Sequence, residues 1–275
     1  MNIYDIAKLA NVSIATVSRV VNNSPKVSPK TKEKVLTVMK ENEYTPNAFA
    51  RGLGLGSMKT VGIICPNIDD IYMAKAVSYL EQNLHAHGYD CILGCSGFKQ
   101  EEKEDYVRLL LSKKIDTLIL VGSTYAGNGK DESDTDYIRE AAEQVSIFMI
   151  NAKVSGDNIY CTYADDFQAT YEVTKAFIRS GKEKILFMYD SESYSARQKM
   201  AGYEAALPET GYPICGNLKF KTRNDIEYTR DMLLEYNRTL DFDSVLATED
   251  GIAIGAGMAA AAKIQKKDYF TYVIC

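Results

Sequence analysis

The residues with the clearest chemical pattern lie near the N-terminus, in the stretch Ile3 to Asn22. Small, hydroxylated and basic side chains recur there at helical spacing. The candidate DNA-contacting residues are Tyr4, Ser13, Ile14, Ala15, Thr16, Ser18, Arg19 and Asn22. Hydroxyl and amide groups suit DNA phosphates, and an arginine suits the edge of a guanine in the major groove. The pattern predicts a DNA-reading face; a helical hairpin that only packs against another element is the alternative.

Two short helices joined by a tight turn are needed to hold these side chains on one face. Asn2, followed three residues later by Asp5, forms a capping-box pattern that predicts the start of the first helix. Asn11 suits the turn after it, because asparagine accepts a left-handed conformation at low cost. Ser13 is in position to cap the second helix.

The charge of the chain is divided unevenly along its length. Residues 1–60 contain nine lysines and arginines and four acidic residues, a net charge of +5. Since the 275-residue chain has a formal net charge of −5, the remaining 215 residues carry −10. A basic N-terminal part on an acidic body indicates nucleic acid as the partner of the first and a different ligand for the second.

A third helix and an irregular segment follow the DNA-reading face. Ser28 and Pro29 occupy the cap and first-turn positions of a helix that is predicted to run to about Tyr44. In order and spacing, three segments resemble the DNA-binding headpiece and hinge of the lactose-repressor/purine-repressor (LacI/GalR) family: VSIATVSRVVN, VSPKTKEKV and YTPNAFARGL. The resemblance implies a transcriptional regulator, expected to be a homodimeric repressor that binds a pseudo-palindromic operator in double-stranded DNA.

The resemblance also implies a hinge over residues 46–59. In the family a short hinge helix folds against DNA and its leucine enters the minor groove. That implies a minor-groove wedge at Leu53, with Asn47 and Arg51 near the DNA backbone. The glycines from Gly52 to Gly56 precede a predicted strand rather than follow one, so they are predicted to form a linker and not a phosphate-binding loop.

From Thr60 onward, apolar runs of strand length alternate with helical patterns. This alternation predicts parallel sheets with helices on both faces. Two groups of elements predict two lobes, residues 60–151 and 152–275, like those of periplasmic sugar-binding proteins. The predicted fold is therefore an all-α helix-turn-helix headpiece over residues 1–45, a hinge, and a two-lobed α/β core of the periplasmic-binding-protein type.

Ligands of open α/β sheets bind beyond the carboxyl ends of the strands, which directs attention to the loops between the two lobes. The resemblance narrows the choice. Arg197 lies in a segment similar to the S-x-R-x-R-x-x-G helix start of the family, where its effector-binding arginine lies. Glu249 and Asp250 match an A-x-N-D segment, with glutamate in place of the usual asparagine. The expected effector-binding residues are Tyr72, Ser123, Arg197, Glu249 and Asp250.

The departure at Glu249 carries information about the effector. An ionised glutamate only accepts hydrogen bonds, whereas asparagine also donates. The residue therefore predicts an effector with donors, such as the hydroxyls of a sugar or nucleoside, or an amine. Two of the expected residues have a structural alternative: Tyr72 would pack between the lobes, and Asp250 would cap a helix beginning at Gly251. The resembled family continues for several tens of residues past the last predicted strand, so the second lobe is expected to be incomplete.

Composition and targeting signals exclude several other classes of protein. The six cysteines form no C-x-x-C pattern and there are two histidines, so a metal site is not expected and the thiols are predicted to be small buried residues in a reducing cytosol. The N-terminus has no apolar signal region, and no run of eighteen apolar residues occurs. The chain is therefore predicted to be cytoplasmic, without a membrane span or a cofactor.

The leading hypothesis is a transcriptional repressor, not an enzyme, whose DNA affinity is set by a small molecule bound between the lobes. The alternative is a cytosolic α/β enzyme or a sugar-binding protein fused to a DNA-binding head. Against the enzyme, no nucleophile–base pair is recognisable, and the two histidines, His85 and His87, lie near the end of a predicted helix rather than at a strand end.

Overall fold

The computed structural model describes residues 1–45, 56–128, 131–208, 218–236, 242–262 and 270–273. The N-terminal headpiece consists of three helices, α1 (Ile3–Leu9), α2 (Ile14–Val21) and α3 (Pro29–Glu41). All three predicted helices are confirmed. The hinge residues Asn47, Arg51 and Leu53 lie outside the described residues, so their DNA contacts stay predictions.

Each helix of the headpiece begins at the side-chain cap that its sequence predicts. The Asn2 side chain accepts hydrogen bonds from the N–H groups of Tyr4 and Asp5, and the Asp5 carboxylate accepts from the Asn2 N–H at 2.9 Å, which completes a capping box. Ser13 and Ser28 cap the other two helices, each through the N–H three residues on. Caps of this type stabilise a helix by about 1 kcal/mol each.

The turn and the core of the headpiece also follow its sequence. Asn11 adopts a φ of 49°, so the predicted left-handed turn is confirmed. Apolar residues of all three helices meet in one core: Ile6, Ala7, Ala10, Val17, Val20, Val35 and Met39. Since this core takes up the inward side of α2, the opposite side of that helix remains accessible.

The first lobe is a five-stranded parallel sheet with helices on both faces. Its elements are β1 (Thr60–Cys65), α4 (Ile71–Ala86), β2 (Asp90–Cys95), α5 (Gln100–Ser112), β3 (Thr117–Val121), α6 (Asp136–Ala142), β4 (Ser146–Ile150) and β5 (Ile159–Thr162). The strand order is β2-β1-β3-β4-β5, and all neighbours are parallel. The predicted alternation of strands and helices is confirmed for this lobe.

One strand lies in a different lobe from the one predicted. The sequence pattern assigned β5 to the second lobe, but β5 pairs with β4 of the first sheet. The boundary expected at residue 151 is therefore wrong, and the crossing to the second lobe comes after Thr162. The physical reason is that Ile159 and Cys161 pack against the core of the first lobe, while the Asn158 side chain donates a hydrogen bond to the Ala142 carbonyl oxygen at 2.9 Å.

The second lobe is a four-stranded parallel sheet with the order β7-β6-β8-β9. Its elements are α7 (Asp166–Arg179), β6 (Ile185–Tyr189), α8 (Tyr194–Ala206), β7 (Lys219–Lys221), α9 (Ile226–Tyr236), β8 (Ser244–Ala247), α10 (Asp250–Ala262) and β9 (Phe270–Val273). Separate apolar clusters fill the space between this sheet and the helices.

A glycine sets the spacing of α7 and α8. A Cβ atom on Gly202 of α8 would stand 2.2 Å from the Phe167 carbonyl oxygen of α7, which is shorter than real Cβ contacts. Only glycine permits this crossing without movement of the backbone. The start of α7 is thereby held close to α8, the helix that carries Arg197.

Two cysteines at the ends of neighbouring strands differ in exposure. Cys65 and Cys95 are register partners in β1 and β2, yet Cys65 is buried and Cys95 is exposed. The prediction of buried thiols is right for Cys65 and wrong for Cys95, because β2 is the edge strand of its sheet. Among the described helices, none combines the length and the apolar character that crossing a membrane requires.

Candidate functional sites

The first candidate site is the outward face of α2. Ile14, Ala15 and Arg19 are exposed on it, and Ile14 has 42% of its surface accessible. Thr16 and Ser18 are half-buried beside them. An accessible isoleucine beside alanine and arginine, at the start of a short helix, can meet thymine methyl groups and a guanine edge.

Three other predicted DNA contacts have additional structural roles. The Ser13 hydroxyl accepts from the Thr16 N–H at 3.2 Å and shares a hydrogen bond of 2.9 Å with the Thr16 hydroxyl, so both hydroxyls already serve the helix cap. Asn22 is the C-terminal cap residue of α2 and half-buried, and its buried Oδ1 has no hydrogen-bond partner within the described residues. Asn22 thus lies at the C-terminal end of α2, beyond the exposed residues Ile14, Ala15 and Arg19. Tyr4 on α1 is 66% exposed.

The headpiece carries its positive charge at the surface. Besides Arg19, five lysines are exposed: Lys8, Lys26, Lys30, Lys34 and Lys40. The site prediction omitted these lysines, although their signal was present in the net charge of residues 1–60. Lysines that neutralise phosphates supply affinity that weakens with salt, independent of base sequence.

The second candidate site is the cleft between the two lobes, and Arg197 spans it. Its Nη1 donates to the Gly127 carbonyl oxygen of the first lobe at 3.0 Å and to the Glu192 carbonyl oxygen at 2.8 Å. Burial is the largest influence on this guanidinium and lowers its pKa. Within the described part of the chain, both of these hydrogen bonds are made by Nη1.

Glu249 is a carboxyl group whose charge is suppressed by its surroundings. Burial raises its pKa from the ordinary 4.5 to about 7. Of the neighbouring charges, Lys199 lowers that pKa, and three carboxylates raise it: Asp190, Asp70 and Asp250. The raised pKa favours the protonated carboxyl, which can donate a hydrogen bond as well as accept one.

Lys199 holds the loop that carries Glu249. It is 4% exposed, and its Nζ donates to the Thr248 carbonyl oxygen at 2.9 Å. An ammonium group that is buried and bonded to the main chain orients the end of β8. Lys199 is thus a positioning residue for Glu249. In the sequence it occupies the second basic position of the S-x-R-x-R-x-x-G segment, but it is not among the expected effector-binding residues.

The remaining predicted effector residues lie around the same cleft. Tyr72, in the first turn of α4, is 50% exposed, and its pKa is raised by burial first and then by Asp70 and Asp166. Ser123 is half-buried at the start of a short 3₁₀ helix after β3. Asp250 is exposed and is the first residue of α10.

Two acidic residues of the cleft were missed. Asp166 is 5% exposed at the start of α7, and Asp190 follows β6 directly. Each has one buried carboxylate oxygen that finds no hydrogen-bond partner among the residues that the structure describes. Both residues lie beyond the carboxyl end of a strand, where ligands of open α/β sheets bind. Nothing in the sequence itself indicates that these two side chains turn inward. No group of three potential ligands in the described residues is arranged to hold a metal ion.

Two family profiles match the chain in succession. Residues 2–47 match "Bacterial regulatory proteins, lacI family", and residues 58–268 match "Periplasmic binding proteins and sugar binding domain of LacI family". The boundary between the matches falls at the join between the headpiece and the first lobe.

Curated relatives span most of the chain. An HTH-type transcriptional regulator of Lachnoclostridium phytofermentans is 48% identical, covering 93% of this chain and 76% of the relative. Catabolite control protein A of Priestia megaterium is 33% identical, covering 78% of this chain and 63% of the relative.

Solved structures share the fold. The Lac repressor dimer bound to operator and the anti-inducer ONPF superposes with a TM-score of 0.81 at 22% identity, covering 96% of this chain and 78% of that one. The complex of the transcriptional regulator CelR with cellobiose superposes with a TM-score of 0.63 at 21% identity, covering 98% of this chain and 81% of that one. Likeness at these identities supports the fold alone. The family matches and the curated relatives show that the chain belongs to the lacI family of bacterial regulatory proteins and is a DNA-binding transcriptional regulator.

Proposed function

We propose that the protein is a cytoplasmic, homodimeric repressor that binds a pseudo-palindromic operator and responds to a small molecule in its cleft. The observation that carries the proposal is the outward face of α2, where Ile14, Ala15 and Arg19 are exposed above a closed helical core. A second helix of this kind reads the major groove with its N-terminal residues. A two-fold symmetric dimer would place two such helices on two half-sites.

The hinge completes the proposed DNA contact. Leu53 would enter the minor groove at the centre of the site, with Asn47 and Arg51 beside the backbone, as the match of YTPNAFARGL to the family hinge implies. A solved neighbour, the Lac repressor dimer, is described as bound to its operator. Inserting a leucine unstacks a base step and bends the DNA, and the wider contact compensates for that cost.

The proposed effector site consists of Tyr72, Ser123, Arg197, Glu249 and Asp250. Arg197 would bind neighbouring ligand oxygens with Nη2 and Nε, a planar geometry that lysine lacks. The carboxyl groups across the cleft would take hydroxyl groups, so a sugar or nucleoside is the expected class of effector. One neighbour in the fold is a complex with cellobiose. No catalytic step is proposed, because this ligand acts by its different affinity for two arrangements of the lobes.

The experiment combines operator selection with effector titration. Binding sites are selected from random duplexes, and anisotropy of the labelled consensus is then measured with the whole chain over a range of salt concentrations. We expect a two-fold symmetric consensus and a specific affinity at least about 10³ times the affinity for random DNA. Equal affinities for consensus and random duplexes would contradict sequence-specific regulation.

The proposed response to an effector is tested on the complex of the protein with its selected operator. Sugars and nucleosides are added to the protein–operator complex, and a compound that changes its anisotropy is then titrated into the Arg197→Lys variant. We expect the change to need a higher concentration of the compound in the variant, because the forked contact is lost. An identical response of the variant would place the effector outside the cleft.

A further inference from the structure

Two cysteines lie side by side at the carboxyl edge of the first sheet. Cys65 ends β1, Cys95 ends β2, and the two residues are register partners in neighbouring parallel strands. Both are free thiols in the structure. Paired strands are about 4.7–4.9 Å apart. The Cα atoms that a disulfide joins are usually about 4.4–6.8 Å apart, so the backbone already holds these residues at a spacing that a disulfide needs.

Both thiols are on the side of the sheet that α4 covers. Cys65 belongs to the apolar cluster formed with α4, whereas Ile64, the residue before it, belongs to the cluster on the opposite face. On β2, Cys91 packs against the same α4 cluster, and Cys95 follows four residues later on the same face because side chains alternate along a strand. Burial raises the pKa of the Cys65 thiol to about 12, and the charge of Cys95 and a hydrogen bond between the two thiols add to this shift.

The two thiols differ in their access to solvent. Cys95 is exposed because β2 is the edge strand of its sheet, and Cys65 is fully buried. A cysteine reacts with oxidants as its thiolate, and the raised pKa keeps Cys65 in the less reactive thiol form. An oxidant in solution therefore reacts with Cys95 first. An accessible cysteine beside a second thiol is a common arrangement in redox-sensing sites, because the second thiol resolves the oxidised one.

The main chains are already joined at the point where a disulfide would form. The Ser96 N–H donates to the Cys65 carbonyl oxygen at 3.0 Å, and the Gly97 N–H donates to the Pro66 carbonyl oxygen at 2.9 Å. These hydrogen bonds hold the two strand ends together, so a bond between the sulfur atoms requires rotation of side chains rather than movement of a strand. The pair lies immediately before the loop that leads into α4 and Tyr72.

We propose that Cys65 and Cys95 are a site of reversible oxidation, at which hydrogen peroxide converts the two thiols into a disulfide. The Cys95 thiolate attacks one peroxide oxygen, the O–O bond breaks, and the hydroxide that leaves takes up a proton to form water. Cys95 is then a sulfenic acid.

The second step closes the disulfide. The Cys65 sulfur gives up its proton and attacks the Cys95 sulfur, the S–O bond breaks, and a second water leaves. Two thiols are thus oxidised to one disulfide while the peroxide is reduced to two molecules of water. A small dithiol reverses the oxidation by thiol–disulfide exchange, since exposed disulfides are reduced more readily than structural ones.

The test maps disulfides in the whole 275-residue chain. Reduced protein is treated with hydrogen peroxide at pH 7, the remaining thiols are blocked with N-ethylmaleimide, and the peptides are identified by mass spectrometry without reduction. We expect a linked pair of peptides that contains Cys65 and Cys95, and its loss after treatment with dithiothreitol. Cys91→Ser is the matched control and should retain the link, because Cys91 lies on the same strand and face but has Val61 as its register partner.

Two further variants test the order of the steps. Cys95→Ser should leave Cys65 unmodified, because the buried thiol does not meet the oxidant. Cys65→Ala should accumulate sulfenic acid at Cys95, because the resolving thiol is gone. Dimedone traps this acid, and the labelled fraction should exceed that of the native chain. Circular dichroism of each variant shows whether it is folded.

Other products of the peroxide treatment would overturn the proposal. A disulfide between the Cys95 residues of two copies, seen as a dimer on a non-reducing gel, would show that Cys65 is not the partner. A link from Cys95 to a different cysteine, or oxidation of Cys95 without any link, would show the same. An unmodified Cys95 would show that the site does not react. The operator affinity of the reduced chain tests the proposed function separately.

Discussion

The headpiece and the cleft bind their ligands with differently organised surfaces. In the headpiece, the residues that face DNA lie within one short helix, and their positions follow from caps and apolar spacing over residues 2–22. In the cleft, the polar groups come from segments that are more than eighty residues apart in the sequence, such as those of Tyr72, Asp166 and Glu249. Local periodicity determines the first site, and the pairing of strands determines the second.

The difference has a consequence for how each site responds to change. The headpiece has its own small core, so damage there should remain within the headpiece. The cleft joins two lobes through contacts such as that between Arg197 and Gly127, so a change in one loop can alter the balance between lobe arrangements.

The largest expected effect tests whether the headpiece core is independent. Ile6 is fully buried, and Ile6→Ala should destabilise the headpiece by about 2–5 kcal/mol through lost burial and a cavity. Operator binding should be lost, while the core lobes still unfold at their original temperature in calorimetry. Leu9→Ala, at a residue that is 54% exposed, is the control and should retain operator binding. A parallel drop in the unfolding temperature of the lobes would show that the headpiece core is not independent of them.

The next effect concerns the buried carboxyl of the cleft. The pKa of Glu249 is about 7 in the folded chain and near 4.5 in the ordinary state, so the folded chain binds its proton more tightly. The free energy of unfolding should therefore fall as pH rises from about 4.5 through about 7. Glu249→Gln should escape this loss and exceed the native chain in stability at pH 8, by an amount on the order of 2–3 kcal/mol.

Urea unfolding of the native chain and of Glu249→Gln at pH 5 and pH 8 measures this effect. Glu140→Gln is a suitable control, because Glu140 is exposed on α6. The same dependence on pH in the native chain and in Glu249→Gln would show that other groups cause it.

A smaller effect distinguishes base contacts from phosphate contacts on the headpiece. Arg19→Ala should weaken binding to the selected operator by about 1–3 kcal/mol and relax base preference at one position of each half-site. Lys34→Ala, at an exposed lysine of α3, should instead weaken specific and random DNA alike if it binds phosphate. Competition anisotropy with operator and random duplexes distinguishes the two. A uniform loss for Arg19→Ala would make it a phosphate contact.

The smallest expected effect is that of a helix cap. Ser13→Ala removes the acceptor for the Thr16 N–H and should destabilise the headpiece by about 1 kcal/mol. Ser13→Asp restores an acceptor and should recover that stability, while its charge should weaken binding to DNA. Thermal unfolding and operator affinity of the two variants separate the cap from the DNA contact. An unchanged stability of Ser13→Ala would mean that the cap is dispensable.

The sequence alone determined the headpiece and the order of elements in the core. Capping residues such as Asn2, Ser13 and Ser28 act on N–H groups two or three residues away, so their effect is visible in a short window. Alternating apolar runs likewise specify strands and helices, and the alternation predicted from Thr60 onward is found in both lobes. These properties depend on neighbours along the chain.

Tertiary structure alone decided which sheet β5 joins and which acids line the cleft. A four-residue strand can pair in either lobe by its own pattern, and its partner is chosen by packing against residues far along the chain. Asp166 at the start of α7 and Asp190 after β6 each have a buried carboxylate oxygen, and burial depends on how these elements pack together. The pKa of Glu249 depends on burial and on charged residues of both lobes. Their distances from Glu249 are fixed by the fold and cannot be read from spacing along the sequence.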